Sequence, residues 1–183
     1  MIDDKNKKCI VLGVSGGIAA YKACELIRLL IKNDFDVHCI LTKSGSEFIT
    51  PLTLQTLTGN IVYTELFSLI EEKKVNHISL ADKADVLAVI PATANIIAKT
   101  HAGICDDLLS TVICATKAPV VFAPAMNVNM WENPITKRNI QNISDLGFHF
   151  IYPEEGELAC GYSGVGRLAN IDTIFDKIKS LAK

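Results

Sequence analysis

Short continuous apolar runs recur along this chain. Each ends at glycine, proline or a small hydroxyl residue, and most lead into a helix-length segment. The first is Lys8–Val14 (KCIVLGV), which runs into Ser15-Gly16-Gly17. Asp36–Leu41, Val86–Ile90, Val120–Ala123 and Phe148–Tyr152 repeat the pattern. Between them, Ile18–Lys32 carries Lys22, Glu25, Arg28 and Lys32 as one polar stripe on an otherwise apolar helix. Gly45–Thr58 predicts one or two short helices with Pro51 in a first turn. Ala94–His101, Asp107–Ala115, Asn133–Leu146 and Ile171–Leu181 predict further helices, and Val62–Asn76 reads as a loop with a short strand. Strands that do not alternate polar with apolar are buried on both faces, and parallel pairing needs a crossover between strands. The pattern therefore predicts an α/β fold: a three-layer, Rossmann-like parallel sheet with helices on both faces.

A length of 183 residues supports one core, so residues 1–183 are expected to form a single domain. With 49% apolar and 21% charged residues the chain can bury enough surface to fold, which excludes a disordered class. A formal net charge of −2 supplies no basic field for nucleic acid or an anionic membrane. The strongly apolar uncharged stretches Val86–Ala98 and Ala118–Trp131 fall short of the ~18–20 residues that span a bilayer. Lys5, Lys7 and Lys8 before Cys9–Tyr21 loosely mimic an export signal, but Asp3, Asp4 and Ser15-Gly16-Gly17 spoil it. Cys9, Cys24, Cys39, Cys105 and Cys114 read as small core hydrophobes, and no spacing with the histidines suggests a metal. A cytoplasmic protein with reduced thiols is expected. A mean hydropathy of +0.29 suggests strands buried on both faces, a large subunit interface, or both.

Ligands of such sheets bind beyond the carboxyl ends of the strands, so the segments after each strand carry the functional signal. Gly13-Val14-Ser15-Gly16-Gly17-Ile18 lets backbone approach an anion at a helix start, or simply makes a tight turn. It is not the GxGxxG of dinucleotide folds. The second strand closes on Thr42-Lys43-Ser44 rather than an acid, which argues against NAD and suits a ligand with a terminal phosphate. Pro91-Ala92-Thr93-Ala94-Asn95 opens the next helix, where Thr93 or Asn95 also suits a cap. Pro124–Trp131 packs two Met, two Asn and the only Trp into eight residues. It offers a polarizable surface for a planar ring and an amide for a carboxylate, or else forms a packed loop with a capping Asn. His77 precedes an apparent helix. Gly156–Arg167 joins four glycines to Cys160 and Arg167, reading as a mobile flap or as a surface hairpin with an incidental thiol.

In their order, these stretches resemble the homo-oligomeric flavin-containing cysteine decarboxylases. The resemblance rests on Ser15–Lys22 (SGGIAAYK), Asn76-His77, Pro91–Ser110, Pro124–Trp131 (PAMNVNMW, against the family's PxMNxxMW) and Ala159–Leu168 (ACGYSGVGRL). It implies FMN held by Gly16, Gly17, Ile18, Thr42, Ser44, Thr93, Ala94, Asn95, Ile96 and Ala125. Thr93 stands where the family commonly has Ser, with the hydroxyl kept. His77 matches the catalytic base, Asn127 the residue that binds the cysteine carboxylate, and Cys160 the proton donor of a reductive half-reaction; Met130 and Arg167 are expected to contact substrate. The implied assembly is a trimer, or a dodecamer built of trimers, with the active site between subunits.

The implied activity is decarboxylation of 4'-phosphopantothenoylcysteine to 4'-phosphopantetheine in coenzyme A synthesis. The thiol would be oxidised, CO2 lost and the enethiol reduced again, with the hydride lent to FMN and recovered. An end at Lys183 resembles the stand-alone form, whose ligase partner, upstream in the pathway, is a separate protein. The alternatives are a peptidyl-cysteine decarboxylase, which lacks the reductive Cys, and a non-catalytic flavin-binding regulator. A flavin prenyltransferase would lack both PxMNxxMW and the Cys segment.

Overall fold

The computed structural model describes residues 7–67, 76–157, 161 and 163–182. Six strands form one parallel sheet: β1 (Cys9–Val14), β2 (Asp36–Leu41), β3 (Val62–Tyr63), β4 (Val86–Ala92), β5 (Val120–Pro124) and β6 (His149–Phe150). Their order across the sheet is β3-β2-β1-β4-β5-β6. Every residue of β1, β4 and β5 is buried, as the unbroken apolar runs predict.

Around the sheet lie α1 (Ala23–Lys32), α2 (Pro51–Thr58), α3 (Asn76–Lys83), α4 (Ala94–Ala102), α5 (Leu108–Ala115), α6 (Val128–Glu132), α7 (Pro134–Asp145) and α8 (Ile171–Leu181). Successive strand residues point to opposite faces, and β1 shows the consequence. Its Ile10, Leu12 and Val14 join Leu26, Ile27 and Leu30 of α1, Leu54 of α2 and Ile174 and Ile178 of α8 in one core. Its Cys9 and Val11 join Leu80 of α3, Ile96 and Ile97 of α4, Val112 of α5 and Ile143 of α7 in the other. Each fully buried Leu or Ile contributes roughly 1.5–3 kcal/mol, so both helical layers are held mainly by these contacts. Phe122 of β5 stacks on Phe150 of β6 at 5.3 Å between centroids, fastening the short edge strand. Among the described residues no helix is long and apolar enough to cross a membrane.

Several boundaries depart from the sequence reading. The expected helix Ile18–Lys32 begins as a 3-10 segment, Ile18–Lys22, before α1. β4 runs past Ile90 through Pro91 to Ala92, because a register shift between Val89 and Ala92 interrupts the ladder where proline has no N–H to give. The expected strand Phe148–Tyr152 pairs only over His149–Phe150. Pro124–Trp131, read as a loop, holds the first four residues of α6, which runs on to Glu132. Of the cysteines expected in the core, Cys9 and Cys39 are buried and Cys24 half-buried, but Cys105 and Cys114 are exposed. Cys114 lies on α5, whose run LLSTVICA is so apolar that pattern alone cannot say which face turns outward.

The described ends of the Gly156–Arg167 stretch lie in two antiparallel strands, β7 (Glu154–Glu157) and β8 (Ser163–Arg167), which pair as a hairpin separate from the main sheet. The hairpin docks on the segment after β5 through Gly166, whose carbonyl accepts from the Met126 N–H at 3.0 Å. A Cβ on Gly166 would lie 2.2 Å from the Met126 carbonyl oxygen, so the two backbones meet where a side chain has no room. Gly166→Ala is expected to lose about 1–3 kcal/mol by overpacking. Thermal unfolding measures this, and an unchanged melting temperature would show that the contact is slack.

Candidate active site

The chain leaves β1 for β2 and β3 on one side of the sheet, and leaves β4 for β5 and β6 on the other. The turns after β1 and β4 therefore part at their carboxyl ends and open a crevice. Ser15 spans its floor. Its hydroxyl, 3% exposed, donates to the Pro91 carbonyl at 2.7 Å and accepts from the Thr93 N–H at 3.1 Å. One small side chain thus sets the spacing between the glycine turn and the start of α4.

The segment after β2 leans over the same turn. A Cβ on Gly16 would lie 2.4 Å from the Ser44 Cβ and 2.8 Å from its backbone, and one on Gly45 would lie 2.7 Å from the Val14 carbonyl oxygen. Thr42 closes this segment by accepting from the Gly45 N–H at 3.1 Å. Ser44 stays exposed beside Gly16. The sequence-selected residues Gly16, Gly17, Ile18, Thr42 and Ser44 therefore share one wall.

Helix starts differ in how they are capped. Thr50, Thr93, Asp107, Asn127, Asn133 and Asn170 each accept a backbone N–H at the start of α2, α4, α5, α6, α7 and α8. At Ile18 the cap position is Gly17, which has no side chain to give, and nothing lies within 4 Å of where its Cβ would stand. Among the described residues no side chain caps this start, and its amides favour an anion.

On the opposite wall the Thr93 hydroxyl accepts from the Ile96 N–H at 3.3 Å, leaving its own proton to donate. Ala94 and Asn95 follow in the first turn of α4, with Asn95 exposed. Ile96 differs: its side chain is buried, its N–H bonds Thr93 and its carbonyl accepts from Thr100, so it shapes the wall without offering a polar group. Ala125 ties the end of β5 to that of β4 through its N–H and the Ala92 carbonyl.

Asn127 caps α6, its Oδ1 accepting from the Asn129 N–H at 2.8 Å, which orients the amide. Met130 is exposed on α6. Trp131 is not a platform for a planar ring: it is buried in the core and packs edge-on against Tyr152 at 6.0 Å. A short apolar helix turns its bulkiest residue inward, which the loop reading could not anticipate.

His77 sits in the first turn of α3, the helix that leads into β4. A crossover helix runs back along the sheet, so its start stands at the strands' carboxyl ends. The Nδ1 of His77 is buried with no hydrogen-bond partner among the described residues. Leaving such an atom unpaired costs roughly 1–3 kcal/mol, and the imbalance ends only when a partner arrives. Arg167, at the end of β8, pairs with Glu154 at 3.1 Å. The Asn170 N–H, then Arg167, hold the Glu154 carboxyl below its ordinary range. Cys160 lies outside the described residues.

Sequence spacing missed three features. Ser15 stood inside a recognised motif, but its bridging role needs the strand order. Lys99 on α4 reaches Asp106 at 2.6 Å and Asp107 at 2.7 Å, bracing the cap of α5. At the opposite end of the sheet, ligand atoms of Cys9, Asp36 and His38 lie within 4.8 Å of one another. The Lys83 ammonium enters that group, pairing with Asp36 at 3.1 Å. Burial pushes the Cys9 thiol up to about 12. Burial also raises the Asp36 carboxyl, but hydrogen bonds from Lys83, His38 and Asn60 outweigh it and leave the pKa below the usual range.

A family model described as Flavoprotein matches residues 2–183. The chain is 47% identical over 169 residues to the coenzyme A biosynthesis bifunctional protein CoaBC of Bacillus subtilis, covering 92% of this chain and 42% of that protein. It thus spans less than half the length of this bifunctional relative. It is 43% identical to the probable phosphopantothenoylcysteine decarboxylase of Streptococcus mutans, covering 94% of this chain and 97% of that protein. Among solved structures, a PPC decarboxylase mutant complexed with pantothenoylaminoethenethiol superposes with a TM-score of 0.84 at 32% identity, covering 96% of this chain and 98% of that one.

Proposed function

The chain belongs to the Flavoprotein family, and on that premise we propose that it is an FMN-dependent decarboxylase converting 4'-phosphopantothenoylcysteine to 4'-phosphopantetheine in coenzyme A biosynthesis. The similarity to the Streptococcus mutans decarboxylase over nearly the whole of both chains supports this substrate. The structural observation that carries the reading is the unpartnered, buried Nδ1 of His77 at the strand ends where a ligand binds. A proton-transfer group held in reserve is what this reaction needs and a merely structural histidine is not.

The crevice fits FMN on two counts. The uncapped start at Gly17 offers amides to a phosphate, and Gly16 brings backbone against Ser44 where a side chain would not fit. Gly16, Gly17, Ile18, Thr42 and Ser44 would hold one side of the cofactor, and Thr93, Ala94, Asn95, Ile96 and Ala125 the other. When bound, FMN supplies a reversible two-electron sink for the carbon that bears the substrate's thiol.

The chain's own residues do the rest. The Asn127 amide donates to the substrate carboxylate and aims it for departure; its Oδ1, fixed in the α6 cap, sets that direction. His77 takes a proton at Nδ1 as the thiol is oxidised. Cys160 gives a proton to carbon as the enethiol is reduced. Met130 borders the substrate from the exposed side of α6.

The same reading makes residues 1–183 a single cytoplasmic domain that assembles as trimers or as a dodecamer of trimers. Exposed Ile18, Tyr21, Phe48 and Ile78 support an interface, because they lie in or beside the segments that carry the site. The purified protein is expected to be yellow, to bind FMN stoichiometrically and to scatter light as a multiple of three chains. Gly16→Ala is expected to weaken FMN at least about ten-fold, because the added methyl drives Ser44 from the wall. A colourless monomer that releases no heat on titration with FMN would overturn the reading.

A further inference from the structure

A groove of about 760 Å³ runs between α1 and the base of the β7–β8 hairpin. One wall is the polar stripe of the first helical segment, with Lys22, Arg28 and Lys32; the other brings Arg167 from the end of β8. Glu25, Glu154 and Asp172 also line it. Glu154 is already engaged, one oxygen accepting from Arg167 at 3.1 Å and the other from the Asn170 N–H at 2.8 Å. Lys22, Arg28 and Lys32 form no ion pair among the described residues. A chain of net charge −2 thus gathers four cations in one concavity, three of them without an ion-pair partner there.

The groove adjoins the crevice at both walls. Lys22 closes the 3-10 segment that starts at Ile18, straight after Gly17. Arg167 follows Gly166, whose carbonyl is bonded to Met126, one residue before Asn127. A substrate with its carboxylate at Asn127 therefore has a basic groove beside it. Multiple cations on two facing walls suit a phosphate monoester, which carries close to two negative charges and three acceptor oxygens.

We propose that this groove binds the terminal phosphate of the substrate through Lys22, Arg28, Lys32 and Arg167, and so selects phosphorylated over dephosphorylated pantothenoylcysteine. The proposal rests on the decarboxylase reading and adds to it the residues that recognise the far end of the substrate. The cofactor also carries a phosphate, but backbone amides at Gly17 serve that one, so the groove remains for the substrate.

The test compares kcat/KM for 4'-phosphopantothenoylcysteine and for its dephosphorylated form, using FMN-loaded enzyme. Arg28 and Lys32 are exposed, so the double variant Arg28→Gln/Lys32→Gln should fold. Its preference for the phosphorylated substrate is expected to fall by about ten-fold or more, through KM rather than kcat. Arg28→Lys/Lys32→Arg should restore most of it, and added salt should erode the wild-type preference. A double variant with the wild-type preference overturns the proposal, as does wild-type enzyme that turns over both substrates equally; the decarboxylase reading survives both. Loss of FMN from the double variant would assign the groove to the cofactor and equally overturn it. Wild-type enzyme inactive on both substrates would remove the decarboxylase reading and this proposal together.

Discussion

Cys160→Ser is expected to stop the reaction halfway. Thiol oxidation and CO2 loss need the flavin and a base, neither of which is Cys160, so CO2 should still appear. Reduction of the enethiol needs a proton delivered to carbon at the moment the hydride arrives. Free thiols titrate near 8.5 and are mostly protonated at neutral pH, whereas a serine hydroxyl is a far weaker acid. The second half should therefore slow by ~10²–10⁴, the range of a positioned acid. The product would be an enethiol with two hydrogens fewer than phosphopantetheine, identifiable by mass; its two electrons would remain on the cofactor, so reduced FMN should accumulate with it, about one product for each FMN in the absence of an added oxidant. Full turnover to the saturated product at an undiminished rate would make Cys160 a bystander. It would also take away the main support for reading Gly156–Arg167 as part of the active site.

His77→Asn should act earlier and more completely. Asparagine keeps a polar side chain near the position of Nδ1 but neither takes nor releases a proton at neutral pH. FMN should bind as in the wild type, while CO2 release falls by ~10²–10⁴. The loss belongs in kcat with little change in KM, because the missing group serves proton movement rather than substrate binding. A variant that releases CO2 at the wild-type rate would return His77 to a packing role and leave its buried, unpartnered nitrogen without explanation.

The two substitutions bracket how far the chain can be read without coordinates. β2 and α8 coincide with their sequence ranges, because glycine, proline and apolar period act locally and were visible in Asp36–Leu41 and Ile171–Leu181. The end of β4 was missed because a proline reads as a stop, whereas here a register shift admits it. α6 was missed because a five-residue helix is made by its cap at Asn127 rather than by any period. The hairpin of β7 and β8 was half legible: glycine content marked the segment, but its docking depends on Met126, some forty residues away in sequence.

The site divides in the same way. Residue types following the strands were readable, since a parallel sheet dictates where ligands bind. What each side chain is bonded to was not. Thr93 and Asn127 both cap helices, Trp131 turns into the core, and Ser15 joins two turns that are far apart in sequence. Bridges of this kind depend on strand order, which no local pattern encodes.

One measurement tests the central claim most directly: mass spectrometry of the product formed when the FMN-loaded protein meets 4'-phosphopantothenoylcysteine under anaerobic conditions. The account predicts a single product that has lost one CO2 and is otherwise fully saturated, namely 4'-phosphopantetheine, with no external reductant or oxidant consumed. Recovery of unchanged substrate, or accumulation of the enethiol as the end product of the wild-type protein, would contradict it.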